Sequence, residues 1–297
     1  MFDSIQDLYP VHKWISDNIF DGQAWIYNGS AAANGNEQVY VCRVRDMRPG
    51  KNSQSHVVMQ NFNKEWKSTS SPQLLQIQTA KNIKMDSGPQ DSRVFVLKNE
   101  IWIVFNMLCA DGFRRMHLYN VTKDDHNAIP LIINGKDKSR TEKNWTPLIF
   151  NNEIYFIYSF SPLILLNCDP HSGNCKVFYS NNNQPKQYFR GGSPAIAFDK
   201  NNPNHFTGYL HTTLPLTKDH KFDINELPTP AQNTKHIYRS HSFKLILRET
   251  PKISVGPELC FNGKQIEQIY GIGMIDGTLW GILNVNDCQT MILNGLK

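Results

Sequence analysis

The sequence predicts an all-β protein, and within that class a five-bladed β-propeller with a short N-terminal helical segment. Two observations lead to this prediction: turn-forming residues recur along the chain, and short β-rich segments that resemble one another recur with them. The 297 residues include 30 Asn, 18 Gly and 16 Pro, which are residue types that tight turns favour. Helical periodicity is nearly absent after the first 20 residues, so strands joined by turns are expected throughout.

The first 20 residues are predicted to form an N-terminal extension. Their opening, MFDSIQDLYPVHKW, has the amphipathic character of a short surface helix. It lacks the basic start and apolar stretch of a secretory signal. No apolar run in the chain approaches the roughly 20 residues that cross a bilayer. A membrane span is therefore not expected, and a cytoplasmic location is.

Three later segments, 94–107, 148–161 and 273–286, share one pattern: apolar residues, a polar turn, and an alternating strand. Weaker copies occupy 37–46 and 204–213. The first apolar residues after the turns are spaced by 62, 53, 52 and 73 residues, and they are Val39, Ile101, Ile154, Phe206 and Leu279. Periods of this size, each containing several short strands, are typical of propeller blades. A two-sheet sandwich with similar hairpins is the alternative.

The whole chain, 1–297, is thus predicted to be a single domain. The longest spacing contains the polar, Pro-containing segment 217–236, which we interpret as a loop insertion. A net charge of +5 is mild for this length, and Lys and Arg are scattered. No nucleic-acid partner is therefore expected, although a few cations could serve a small anion such as phosphate. The sequence does not indicate an oligomeric state.

The six cysteines form no Cys-x-x-Cys pair and no zinc pattern. Cys168 and Cys175 flank a short turn, where a disulfide is geometrically possible. Without a visible signal sequence, reduced thiols are the expectation. The histidines are dispersed as well, so no metal site is predicted. Phosphate-binding glycine loops and the common zinc-protease and serine-hydrolase motifs are also missing from the sequence.

Polar residues just before the predicted strands are the candidates for function, because strand ends and loops meet at the channel of a propeller. The segment GPQDSRVF places Asp91 and Arg93 before the second repeat, where Asp91 could be an acid facing the channel. The alternative is a turn aspartate with a solvated arginine. One repeat later, EKNWTP offers Lys143 for an anion and Trp145 for stacking on a sugar, or else an edge lysine beside a core tryptophan.

Four further segments supply weaker candidates. In FRGGSP, Arg190 precedes two glycines that would let the backbone approach a ligand closely, although a linking turn explains them equally. His211 lies in the strand GYLHTT, where a structural histidine is the commoner case. Tyr158 is a second possible stacking residue. The remaining candidates in the first and last repeats, each also explicable as a turn or an exposed residue, are Asn28, Ser30, Arg43, Arg45 and Asp287.

Together these segments resemble the five-bladed propellers of glycoside hydrolase family 130 and the related enzymes of glycosyltransferase family 108. The order of the motifs carries the resemblance, which spans about residues 25–290: YNGS, VYVCRVRD, QDSR, EKNWTP, GYLHTT and NVNDC. The resemblance implies that Asp91 is the general acid and that Asn28, Arg43 and Asp287 hold the sugar. Lys143, Arg190 and His211 would contact an anion or the sugar.

The sequence departs from the family pattern at three positions, where Gly29, Gln90 and Ser92 replace Pro, Glu and Pro. Apart from Asp287, no second carboxylate stands at a comparable position. When phosphate is the nucleophile, one acid and several cations suffice, whereas hydrolysis also needs a base. The predicted function is an inverting mannoside phosphorylase or mannosyltransferase acting on β-mannosides, with phosphate, a sugar phosphate or a nucleotide sugar as co-substrate and no other cofactor. The alternatives are a non-catalytic glycan-binding propeller, a β-mannoside hydrolase and a protein scaffold.

Overall fold

A computed structural model describes residues 3–50, 54–79, 88–123, 126–135, 140–181, 188–199, 201–215, 236–259, 261, 266–286 and 289–296. Five separate sheets make up this part of the chain, and they follow one another as the blades of a β-propeller. The predicted fold class is therefore confirmed. The predicted insertion at 217–236 lies outside the described residues, except for His236, which begins a strand.

Each blade is an antiparallel sheet of consecutive strands, numbered here from the channel outwards. The first blade contains β2 (Ala24–Asn34), β3 (Glu37–Asp46), β4 (Ser55–Asn63) and β5 (Gln73–Leu74). The second contains β6 (Gln90–Leu97), β7 (Glu100–Leu108), β8 (Arg114–Asn120) and β9 (Ile129–Pro130). The third contains β11 (Thr146–Phe150), β12 (Glu153–Phe160), β13 (Leu163–Cys168) and β14 (Asn174–Ser180), with β10 (Ile132–Ile133) added in parallel to β14.

The fourth blade begins with two short strands, both paired with the long strand that follows them. Its strands are β15 (Phe189–Gly191), β16 (Ile196–Ala197), β17 (His205–Pro215), β18 (His236–Ile246) and β19 (Lys252–Leu259). The fifth blade contains β20 (Glu267–Ile275), β21 (Thr278–Val285), β22 (Gln289–Asn294) and, at its outer edge, β1 (Ser4–Asp7). A single helix, α1 (Tyr9–Ile19), follows β1 in the described chain.

The hairpins between the first and second strands have a local cause in their turn residues. Both central residues have positive φ at Lys98–Asn99 (52° and 62°), Asn151–Asn152 (51° and 59°) and Asp276–Gly277 (48° and 79°). Two-residue turns of this kind match the twist of antiparallel strands, and Asn, Asp and Gly adopt them most readily. The five apolar residues used to align the repeats all lie on the second strands of their blades.

The ring is closed by the N-terminal segment. Strand β1 pairs antiparallel with β22, so that Ser4 lies opposite Asn294 and Asp7 opposite Met291. The helix then packs on the first blade, where His12 Nε2 lies 2.7 Å from the hydroxyl of Tyr40. The predicted helical segment is thus present, and the preceding residues contribute a strand that the sequence pattern did not indicate.

The expectation of reduced thiols at Cys168 and Cys175 was wrong, because the structure joins them in a disulfide. The two residues lie directly opposite each other on β13 and β14, with their Cα atoms 4.1 Å apart. Direct opposition in an antiparallel pair brings two side chains close together. The prediction rested on the N-terminal residues of the sequence rather than on this local geometry.

Hydrophobic side chains fill the spaces between the blades, and several of the largest are tryptophans. Trp66 and Trp280, from the first and fifth blades, cross edge to face with ring centroids 5.0 Å apart. Burial of this apolar area is the main force that holds neighbouring blades together. Within the described part of the chain, α1 has 11 residues, and no helix qualifies as a membrane span.

Candidate active site

A cavity of about 170 Å³ lies at the centre of the ring, where residues from all five blades meet. Six residues predicted to be functional line it: Asn28, Arg43, Asp91, Lys143, Arg190 and His211. The other lining residues are Tyr27, Asn144, Tyr238, Ile266, Gln268 and Tyr270. Residues near both ends of the chain thus share one pocket.

Two bulges on innermost strands aim polar side chains into this pocket. On β2, Asn28 and Gly29 together face a single residue of β3, and on β6, Asp91 and Ser92 together face a single residue of β7. Asn28 has φ 52° and Asp91 has φ 53°. Asn and Asp tolerate this left-handed conformation better than other residues with a Cβ atom. A bulge redirects a side chain out of the regular alternation, which explains why both residues face the channel.

The carboxylate of Asp91 is held on both oxygens. Asn28 Nδ2 donates to Oδ1 at 2.8 Å, and Asn106 Nδ2 donates to Oδ2 at 3.2 Å. Arg43 Nη1 lies 3.9 Å from Oδ1. Behind this first layer, Arg114 Nη1 donates to Asn106 Oδ1 at 3.0 Å. These contacts fix the position of the carboxylate at the wall of the pocket.

The charges around Asp91 also determine its protonation state. Burial raises the pKa of its carboxyl, but the positive charges of Arg43, Arg93 and Lys143 and the hydrogen bond from Asn106 lower it by more. The net effect is a pKa below the usual value of an aspartate. Asp91 is therefore a carboxylate at neutral pH in the free protein.

Positive charge exceeds negative charge in the pocket lining. Arg43, Lys143 and Arg190 supply three cations, and Asp91 is the one carboxylate among the described lining residues. The pKa of Lys143 is lowered, first by the partial loss of water around its ammonium group and then by the positive charge of Arg190. Two cations that repel each other at the mouth of a pocket form an anion-binding arrangement. The pocket is thus suited to a ligand that carries a phosphate.

Arg93 does not line the cavity, and its contacts indicate a structural role. The side chain is 1% exposed, and its Nε donates to the carbonyl of Gly192 at 2.7 Å and its Nη2 to that of Gly191 at 3.1 Å. Its Nη1 donates to the carbonyl of Asp91, and the guanidinium stacks over Tyr270 at 4.3 Å. Arg93 therefore ties the second blade to the fourth and fifth, directly behind the pocket.

His211 lies on β17, the second strand of its blade, opposite Arg190 on β15. Directly opposite residues of an antiparallel pair point to the same face of the sheet, and both of these side chains line the cavity. Burial, together with the positive charges of Arg93 and Arg190, lowers the pKa of His211 to about 3. The imidazole is therefore neutral, and its buried Nδ1 has no hydrogen-bond partner among the described residues. A neutral imidazole with an unused nitrogen can bond to a ligand hydroxyl.

Two other predicted site residues, Ser30 and Trp145, do not line the cavity. Ser30 is buried where three blades meet, donating to the carbonyl of Tyr270 at 2.8 Å and accepting from the amide of Val94 at 3.3 Å. Trp145 is a core residue, 1% exposed, with its Nε1 donating to Glu142 Oε2 at 3.2 Å. Asp287 lies outside the described residues.

The second proposed stacking residue, Tyr158, is also absent from the lining. Its hydroxyl donates to Glu142 Oε1 at 3.0 Å, and its ring packs against Trp145. Three tyrosines that the sequence motifs did not single out, Tyr27, Tyr238 and Tyr270, supply the aromatic surface instead. The sequence contained a signal for Tyr270, because a tyrosine is closely followed by a glycine both in IYG on β20 and in YNG on β2. In the structure both segments lie at a register shift of the innermost strand.

Within the described ranges, no group of three or more His, Cys, Asp or Glu side chains is arranged to hold a metal ion. The described polar groups that converge on the cavity are instead amides, tyrosines, cations, one neutral imidazole and one carboxylate. This combination offers hydrogen bonds for sugar hydroxyls, cations for an anion, and a group that can exchange a proton.

Residues 111–215 match the family model described as beta-mannosyltransferases. Beta-mannosyltransferase 3 of Candida albicans is 35% identical over 104 residues, which cover 31% of this chain and 19% of that protein. Beta-mannosyltransferase 2 of Komagataella phaffii is 28% identical over 159 residues, which cover 50% of this chain and 23% of that protein. The chain therefore spans about a fifth of the length of the relatives it matches.

Solved structures share the fold over nearly the whole chain. A member of glycoside hydrolase family 130, from work on hydrolases that target β-1,2 mannosidic linkages in Candida mannan, superposes with a TM-score of 0.59 and 10% identity, covering 91% of this chain and 84% of that one. The β-1,2-mannobiose phosphorylase of Listeria innocua superposes with a TM-score of 0.55 and 12% identity, covering 91% and 89%. The chain is therefore a five-bladed propeller that is similar in sequence to the β-mannosyltransferases over residues 111–215 and shares its fold with the propellers of glycoside hydrolase family 130, which confirms the predicted resemblance.

Proposed function

We propose that the protein transfers a mannosyl group with inversion, between a β-mannoside and a phosphate-bearing partner. The partner is inorganic phosphate in a phosphorylase, or the leaving group of a mannosyl phosphate or nucleotide sugar in a transferase. The observation that carries the proposal is the pocket in which Asp91, the one carboxylate among the lining residues that the structure describes, lies with three cations. Inverting hydrolysis also needs a carboxylate base for water, whereas a phosphate nucleophile is already an anion.

The chemistry can be written for both directions. In phosphorolysis, a phosphate oxygen attacks C1 of the β-mannoside, the glycosidic C1–O bond breaks, and Asp91 supplies the proton that the leaving oxygen takes. In transfer, the acceptor hydroxyl attacks C1 of an α-linked donor, the bond from C1 to the phosphate oxygen breaks, and the proton of the acceptor passes to Asp91. The family resemblance suggests that a sugar hydroxyl relays this proton.

In the free pocket, Asp91 is in the protonation state that the transfer direction requires. Asp91 has a lowered pKa and is ionised, which is the form that accepts a proton. An anion bound between Lys143 and Arg190 would offset their positive charge and raise the pKa of Asp91. Binding of phosphate would therefore favour the protonated form of Asp91, which phosphorolysis requires.

The sequence likeness to the β-mannosyltransferases supports the assignment of mannose. The matched residues 111–215 include Lys143 and Arg190, two of the three lining cations, and His211. The two relatives carry that activity in their names. Asn28, Arg43 and Asp91 lie outside the matched range.

The test is to incubate the protein with α-mannose 1-phosphate or GDP-mannose and mannose-based acceptors, measuring the phosphate or GDP released and the configuration of the product. We expect a β-linked product, and we expect Asp91→Asn to lower kcat by about 10²- to 10⁴-fold, the usual contribution of a general acid or base. Asp276→Asn is the matched control, because Asp276 also has a positive φ and lies exposed in a hairpin turn. Equal inactivity of wild type and Asp91→Asn with every mannosyl donor would refute the proposal.

A glycan-binding propeller without catalysis is the second candidate. Gln90 and Ser92, which flank Asp91, differ from the family pattern, and the buried hydroxyl of Ser92 has no hydrogen-bond partner among the described residues. In that case the protein would bind manno-oligosaccharides without turnover, and Asp91→Asn would leave the affinity unchanged. Release of mannose in phosphate-free buffer would instead indicate a hydrolase.

A further inference from the structure

A second cavity lies far from the channel, in a groove between α1 and the outer edge of the first blade. Its volume is about 520 Å³. Pro10, Val11 and Trp14 form the helix side, and Gln60 and residues 68–72 form the blade side. Pro10 and Val11 precede Trp14 by four and three residues, so each of them neighbours Trp14 on the helix surface.

The floor of this groove contains a polar residue on a face that is otherwise apolar. Val58 and Phe62 lie two residues before and after Gln60 on β4, so all three side chains share one face of the strand. Val58 and Phe62 belong to the core cluster beneath α1. Gln60 is only 5% exposed, and its Nε2 donates to Ser68 Oγ at 2.6 Å and to the carbonyl of Ser70 at 2.9 Å. Its buried Oε1 has no hydrogen-bond partner within the described chain.

An acceptor of this kind is costly to leave without a donor, because a buried amide oxygen loses its hydrogen bonds to water. A ligand that places a hydroxyl group on the floor of the groove would satisfy it. The unused oxygen of Gln60 therefore points to a ligand with hydroxyl donors.

The other side of the groove offers an aromatic surface. Trp14 is 42% exposed, the largest exposed fraction among the six tryptophans. None of the described lining residues is charged, and residues 68–71 are all Ser or Thr. An indole beside hydroxyls and an amide matches the two surfaces of a sugar ring, which has C–H groups on one face and hydroxyls at its edge. The missing charge favours a neutral ligand over an anion.

We propose that this groove is a second carbohydrate site, which holds a neutral part of a mannoside chain at a distance from the reacting residue. The ring of one sugar lies on Trp14, and one of its hydroxyls donates to Gln60 Oε1. The choice of a mannoside rests on the proposed function, whereas the choice of a neutral sugar rests on the groove itself. The site adds affinity for long chains without taking part in the reaction.

The experiment measures binding of neutral α- and β-linked mannotrioses in the Asp91→Asn background, where turnover is blocked. Fluorescence and calorimetry should detect two sites. Trp14→Ala should weaken the groove site at least about tenfold and remove its fluorescence change. Gln60→Leu replaces the amide with an apolar side chain of similar size, and it should weaken binding at the groove site about three- to tenfold. Tyr9→Ala is the matched control, because Tyr9 is an exposed aromatic residue of the same helix that does not line the groove.

Arg190→Ala, made separately, should affect the channel site alone, so a failure of the proposed function would leave the groove site measurable. Unchanged affinity in both groove variants would overturn the inference, as would a single site that Arg190→Ala removes. Concentration-dependent dimerisation that Trp14→Ala abolishes would show that a second copy occupies the groove instead. Circular dichroism of each variant verifies that α1 is still folded.

Discussion

The neighbours of Asn106 determine which way its side-chain amide faces. The guanidinium of Arg114 can only donate hydrogen bonds, so the amide oxygen of Asn106 must face it. The amide nitrogen is then left to donate to Asp91 Oδ2 and to the carbonyl of Gln90. Arg114 thus acts on Asp91 through Asn106 and holds the carboxylate in one rotamer without touching a ligand.

The protonation of Asp91 depends most strongly, among its cationic neighbours, on Arg43. We predict that Arg43→Met raises the pKa of Asp91, because the carboxylate loses an opposite charge 3.9 Å away. In the transfer direction, where the ionised form accepts the proton, the acidic limb of the kcat/KM profile should move to higher pH. Carbon-13 NMR of labelled aspartate, assigned against Asp91→Asn, measures the pKa without relying on activity.

The matched control for this prediction is Arg45→Met. Arg45 lies on the same face of β3 two residues further along, where it stacks over Trp25 at 5.6 Å, and it does not line the pocket. Its removal should leave the pKa of Asp91 unchanged. If Arg43→Met also leaves this pKa unchanged, the charge of Arg43 does not control the protonation of Asp91.

At the scale of single elements, the pocket depends on the break in the innermost strand of the fourth blade. Strand β15 ends at Gly191, and the chain passes close to the third and fifth blades before β16 begins. The carbonyls of Gly191 and Gly192 are thereby left free to accept hydrogen bonds from Arg93.

We predict that Gly191→Ala disrupts this arrangement. A Cβ atom at Gly191 would lie 2.2 Å from the carbonyl oxygen of Asn144 and 2.4 Å from Thr146 Oγ1. Because the backbone must move to relieve such contacts, the variant should lose about 2–4 kcal/mol of unfolding free energy and most of its activity. Urea denaturation measures the first effect and mannosyl transfer the second.

Gly112→Ala is the control for Gly191→Ala, because it introduces backbone strain at a positive φ without any steric contact. Gly112 has φ 84°, but no atom lies within 4 Å of the position that its Cβ would take. It should therefore lose only about 1 kcal/mol, the usual effect of alanine at positive φ. A loss at Gly191 no larger than this would contradict the role assigned to the close approach.

These elements also show where sequence reasoning succeeded. The turns after Phe150 and Ile275 were predictable because adjacent Asn, Asp or Gly residues determine a hairpin locally, and the turn after Leu97 has Asn at its second central position. The bulges at Asn28 and Asp91 were not, because a bulge is defined by the register of two paired strands, which composition does not reveal. The sequence therefore located Asp91 in the chain without showing how it faces the channel.

At the scale of the whole molecule, the site is assembled from all five blades, which limits what a sequence can predict about it. The order of the motifs was sufficient to identify six lining residues. It misassigned Trp145 as a stacking residue, because an aromatic residue at a strand start can face either the core or the channel. The bonds from Arg93 to Gly191 and Gly192 span about 100 residues, and no local pattern indicates them.

Burial of histidines gives the whole fold a characteristic response to acid. Burial lowers the pKa of His12 and of His117 to about 4, and that of His211 to about 3. In the unfolded chain a histidine has a pKa of about 6.5. As the pH falls below this value, the unfolded state binds protons that the folded state cannot, so that the stability contributed by the neutral imidazoles is lost.

We therefore predict that the free energy of unfolding falls by roughly 5 kcal/mol between pH 7 and pH 5, because three histidines in the unfolded chain each take up most of a proton over this range. Carboxylates with lowered pKa, such as Asp91 and Asp111, contribute only at lower pH. Urea denaturation at the two pH values measures the difference. His12→Gln should reduce that difference by about a third, whatever its effect on stability at pH 7, because one proton-binding site is gone. Equal stability at pH 7 and pH 5 would mean that these imidazoles are not held neutral by burial.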